Sequence, residues 1–122
     1  MQVLVVDAAN VVGSRPNGWW RDRAGAAQRL HRAIATTDLG HDLVVLVLEG
    51  QAKQGQPPGV DGAVLTVHAP GSGDDAIVEQ VRTRAASGDV VVVVTADRLL
   101  RQRVTAAGGS SLGPSWLLDR TP

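Results

Sequence analysis

An acidic side chain follows each long apolar run of this sequence. Asp7 closes Val3–Val6, and Glu49 closes Leu43–Leu48. Asp74 and Asp75 follow Ala63–Val67 through a Gly-rich turn, and Thr95 and Asp97 follow Val90–Val94. Asn10 lies three residues beyond Asp7. Continuous apolar runs of this length read as strands buried on both faces. In open α/β sheets, ligands bind outside the carboxyl ends of such strands. The acids are therefore expected to share one sheet edge. Converging carboxylates repel one another unless a cation lies among them. An all-oxygen donor set suits Mg²⁺ or Mn²⁺ rather than zinc.

The same residues have a second use. Asp and Asn after strands make turns and helix N-caps. Ser72 can cap the helix that follows it, with Asp75 as its reciprocal partner, and Asp97 can cap the next. Helical spacing separates the neighbouring pair. Asp74 precedes the apolar Ile77 and Val78 by three and four residues and shares their face. Asp75 is turned away by about 100°. Asp74 is the better ligand, and Asp75 is a cap or an outer group.

Helices must place these strand ends. Arg21 to Ile34, Asp74 to Ala86 and Asp97 to Ala107 carry apolar residues at helical spacing, and Pro114 to Leu118 forms a short terminal helix. Gly50 to Gly62, rich in Gly, Gln and Pro, is expected to be a mobile loop without a catalytic role. The order β-α-β-β-α-β-α predicts a single three-layer α/β domain. Its mostly parallel central sheet would hold four to five strands flanked by helices.

Composition narrows the chemistry. At 122 residues one domain is the natural expectation. There is no Cys, which removes disulfides, thiolate metal sites and cysteine nucleophiles. There is no Phe or Tyr, so Val, Leu, Ile and Ala must fill the core. Lys+Arg and Asp+Glu are 12 each, which argues against coating nucleic acid by bulk charge. Lys53 is the only lysine; arginine supplies the remaining positive charge and suits phosphate. No stretch approaches about 18 uninterrupted apolar residues, and the start is too short for a signal-peptide core. The cytoplasm is the expected compartment, with no membrane contact.

The ordered set Val-Val-Asp7-Ala-Ala-Asn10, Gly73-Asp74-Asp75-Ala-Ile77 and Val-Val-Thr95-Ala-Asp97-Arg98 resembles the NYN branch of the PIN-like nuclease superfamily. The resemblance spans nearly the whole chain. It implies a metal-dependent endoribonuclease, a phosphodiesterase using Mg²⁺ or Mn²⁺. By that resemblance Asp7, Asp74 and Asp97 are metal ligands with Asp75 beside them, and Asn10 and Thr95 orient water or substrate.

Arg15, Trp19, Trp20, Arg21 and Arg23 follow the first strand on the same side of the sheet. Arg meets phosphates, and Trp stacks on unpaired bases; both tryptophans can equally serve as core cover. Arg98 beside Asp97 is a phosphate clamp or a surface ion pair. His31, His41 and His68 are scattered and read as structural. The expected partner is RNA, single-stranded or structured, with a homodimer left open. Two alternatives use the same fold: a non-catalytic domain binding RNA or protein, and a nucleotide pyrophosphohydrolase with the same metal site. An aspartyl phosphatase would need Asp-x-Asp where the chain has Asp7-Ala8-Ala9, and no Walker loop is present.

Overall fold

A computed structural model describes residues 1–122. The valine-rich runs form the centre of the sheet: β1 (Gln2–Asp7), β2 (Leu43–Leu48), β4 (Val64–His68) and β5 (Val90–Val94). Two three-residue strands, β3 (Gly59–Asp61) and β6 (Ser110–Leu112), complete it. The strand order is β3-β4-β2-β1-β5-β6, parallel throughout except for β3 against β4. The sheet thus has six strands rather than four to five. The two extra ones are edge strands too short and too polar to carry an apolar signal.

Alternation along each strand sends neighbours to opposite faces. Leu4, Val6, Val44 and Leu46 pack beneath α1 (Ala8–Gly13), α2 (Arg23–Ala35) and α5 (Pro114–Leu118), through Val11, Leu30, Ile34 and Leu117. Val3, Val5, Val45 and Val93 pack beneath α3 (Gly73–Ala86) and α4 (Arg98–Ala106), through Ile77, Val81, Leu100 and Val104. Each fully buried Val or Leu contributes roughly 1.5–3 kcal/mol. No helix is long and apolar enough to cross a membrane.

The Gly50–Gly62 segment is not the mobile loop its composition suggested. Gly50–Gly55 forms a 3-10 helix, and β3 follows. The His68 ring Nε2–H donates to the Gln56 carbonyl at 2.7 Å, tying the segment to β4. Gly55 lies so close to α2 that a Cβ there would sit 2.0 Å from the Ala24 carbonyl oxygen. Gly55 thus serves close approach, while Gly50, Gly59 and Gly62 supply positive-φ backbone at the turns. Gly55→Ala should cost about 1–3 kcal/mol by overpacking. Thermal melting checks this, and a variant that melts with the parent would unseat the contact.

The chain moves from β1 to β2 and β4 on one side, then returns to β5 on the other side of β1. The helices after β1 cover one face, and the helix after β5 covers the opposite face. The crevice between β1 and β5 is therefore the topological switch point.

Candidate functional site at the carboxyl edge of the sheet

Asp7 ends β1 at this crevice and is 6% exposed. Its two oxygens are held separately. Thr95, fully buried at the end of β5, donates its hydroxyl to Asp7 Oδ2 at 2.8 Å. The backbone N–H of Asn10 donates to Asp7 Oδ1 at 3.4 Å, which makes Asp7 the N-cap of α1. The Asn10 side-chain oxygen in turn accepts from the Ala96 N–H at 2.8 Å. Thr95 Oγ1 also accepts from the Asp97 N–H at 3.1 Å, and Asp97 Oδ1 caps α4 through the Leu100 N–H at 3.0 Å. Asp7, Asn10, Thr95 and Asp97 thus form one network that stitches β1 to β5 across the switch point. Capping and convergence are both present here: the hydrogen bonds that start α1 and α4 also fix where the carboxylates stand.

Glu49 and Asp74 approach from the β2 side. Glu49 Oε2 accepts the Gly73 N–H at 3.0 Å, at the positive N-terminus of α3. A Cβ on Gly73 would lie 2.9 Å from Glu49 Oε1, so a larger residue there would push the carboxylate away from the helix start. That contact sets the position of Asp74. Burial pushes the Asp7 carboxyl up to about 6, against the Thr95 and Asn10 hydrogen bonds, with Asp74 and Glu49 adding repulsion. Burial also raises Asp74, helped by Asp97 and Glu49 and opposed by Arg103. Asp7 thus feels the charges of Asp74 and Glu49, and Asp74 those of Asp97 and Glu49, although no three carboxylates or imidazoles are grouped tightly enough to hold an ion as these side chains stand.

Asp75 takes the outer place that helical spacing gave it. It is exposed and pairs with Arg103 at 2.8 Å, while its backbone N–H is capped by Ser72 Oγ. The basic and aromatic residues disperse. Trp19 and Arg23 line a cleft of about 430 Å³ beside the acids, together with Ala8, Val12 and Glu49. Arg23 lies over the Trp19 ring at 4.8 Å. Trp20 is exposed and carries Arg21 at 5.7 Å. Arg15 borders an adjoining groove with Asn17 and Arg29, which shares Val12 and Trp19 with the cleft. Arg98 lies in a shallow depression of about 390 Å³ with Ala96, Arg101 and Ser111. Arg101 and Arg103 carried no sequence signal beyond their spacing on α4, and Glu49 was visible as a strand-end acid without a role.

The fold and this edge together define a three-layer, mostly parallel α/β domain with acids gathered at its switch point. No protein-family model matches the sequence, and no curated protein matches it. Among solved structures, the chain is similar to Rae1 (YacP) from Bacillus subtilis. A mutant of Rae1 superposes with a TM-score of 0.78 at 17% identity, over 98% of this chain and 74% of that one. A second Rae1 structure gives 0.76 at 19% identity, over 98% and 72%. At these identities the likeness is one of fold, the three-layer, mostly parallel α/β domain that the sequence predicts.

Proposed function

We propose that this chain is a metal-dependent ribonuclease of the PIN-like, NYN kind that hydrolyses RNA phosphodiester bonds at the acidic edge. The observation that carries the reading is the Asp7–Thr95–Asp97–Asn10 network at the switch point, with Asp7 buried and its carboxyl pushed up to about 6. A structural cap gains nothing from burying a carboxylate against its own ionisation. The donor set fits a hard cation, being all oxygen. An open set also suits Mg²⁺, which is held by one or two carboxylates plus waters and substrate phosphates rather than by a closed protein cage. Mg²⁺ or Mn²⁺ bound there would supply charge neutralisation and an activated water.

The chain's own residues supply the rest. Thr95 holds Asp7 Oδ2 toward the crevice, and Asp97 is positioned through the same hydroxyl. Asn10, with its oxygen committed to Ala96, presents its amide N–H groups to a phosphate oxygen or a water. Arg23 on one side and Arg98 and Arg101 on the other give a polyanion positive ground on which to cross the acids.

A panel of single-stranded and structured RNAs with Mn²⁺ or Mg²⁺ tests the reading, with nucleoside triphosphates assayed alongside. RNA cleavage that stops on chelation is the expected result. Turnover of triphosphates without RNA cleavage would make the chain a pyrophosphohydrolase, and RNA binding without any turnover would make it a non-catalytic domain.

A further inference from the structure

The cleft beside Asp7 has chemistry that the acids do not. Its floor is small and apolar, built from Ala8, Val12 and Ala52. Trp19, with the Arg23 guanidinium 4.8 Å over its ring, lines one part of it, and Glu49 lines another. A volume of about 430 Å³ lies at the lower end of the range for small-molecule sites. A carboxylate rim repels phosphate but accepts N–H groups. An indole and a guanidinium side by side both favour a flat heterocycle. The location adds the connection: Ala8 directly follows Asp7, and Glu49 directly follows β2, so the cleft opens from the acidic edge itself.

We infer that this cleft is a nucleobase pocket. A base seated on the Trp19–Arg23 stack, donating to Glu49, would leave its own phosphate over Asp7. The edge that such a base gives to Glu49 is not free for a complementary base, so it cannot be paired. The substrate is then RNA with an unpaired nucleotide at or beside the scissile phosphate, and duplex RNA is excluded. The inference rests on the ribonuclease reading for its catalytic meaning, though base binding can be measured without it.

The test uses the full chain with Trp20→Phe and Trp116→Phe, leaving Trp19 as the fluorophore. The four nucleosides are titrated without metal, with ribose as the base-free control. Saturable quenching by nucleosides and none by ribose is expected. Ala52→Leu, which enlarges a lining side chain and fills the cleft, should weaken that quenching by roughly tenfold, the worth of a lost base stack. Gln51→Leu, at an exposed lining position, replaces it if that variant fails to fold. In the cleavage arm, a single strand should be cut at least about tenfold faster than the same strand annealed to its complement. Quenching by ribose alone, quenching unaffected by filling the cleft, or equal cutting of the duplex would each overturn the pocket. If nucleosides quench as expected but no RNA is cut with any metal, the pocket stands and the ribonuclease reading falls. If RNA is cut without dependence on the cleft, the reverse holds.

Discussion

Asp7→Asn should abolish metal-dependent RNA cleavage while making the metal-free protein more stable. Losing an outer partner of a metal ligand already costs about 10–100-fold, so losing a ligand itself should cost at least about a hundredfold in rate. Stability moves the other way because burial raises the Asp7 carboxyl from 3.8 to about 6. Between those values the folded chain keeps a proton that the unfolded chain has released. Stability without metal therefore falls as pH rises from about 4 to about 6 and stays low above that window. The full shift corresponds to about 3 kcal/mol at 1.36 kcal/mol per pH unit. The amide carries no charge to bury, and it keeps the Asn10 N–H bond. The Thr95 hydroxyl can turn to accept from it, although it already accepts from Asp97, so about 3 kcal/mol is an upper figure. Melting curves across pH, in chelator, together with initial cleavage rates, measure both halves. A variant that melts well below the parent at pH 7, or that cuts RNA at the parent rate, would remove Asp7 from the site.

RNA affinity should itself depend on divalent metal. Asp7, Glu49, Asp74 and Asp97 gather at one edge of a chain whose formal charge is zero, and that edge repels a polyanion. Chelation should weaken binding on the order of tenfold, or about 1.4 kcal/mol. Mg²⁺ or Mn²⁺ should restore it. Ca²⁺ should support binding without fast cleavage, because its coordination is looser. In the double variant Asp7→Asn, Asp97→Asn half of the repelling carboxylates and two of the proposed ligands are lost together, so metal should matter much less. Asn at position 97 still caps α4, which keeps the comparison one of charge. Equal binding by the parent with and without metal would place the acids away from the RNA and leave capping as their use.

Much of this architecture was written locally. The bounds of β2, β5 and the terminal helix follow directly from their apolar runs and from Pro114, because parallel strands buried on both faces need continuous Val and Leu. The edge strands Gly59–Asp61 and Ser110–Leu112 could not be read, since solvent covers them and no apolar pattern marks them. The Gly50–Gly55 helix was hidden for a different reason: glycine that permits close packing against Ala24 looks the same in sequence as glycine that permits freedom. The acids were legible because each follows its strand. Their partners were not, because the Thr95 hydroxyl meeting Asp7 and the Glu49 carboxylate meeting Gly73 depend on which strands become neighbours. The division of labour between Trp19 and Trp20 likewise depends on the 3-10 turn over Trp19–Arg21, which sends one ring to the cleft and the other to solvent.

The hydrogen bond from Thr95 to Asp7 joins residues 88 positions apart. β1 emerges first during synthesis, yet its pairing with β5 must wait until that strand exists. Contacts so distant along the chain close late in folding, because the loop entropy is paid before they give anything back. A growing or half-folded chain therefore has the first aspartate but no assembled acid edge. Whatever this edge does, it can do only once the crossover through α3 has set β5 beside β1.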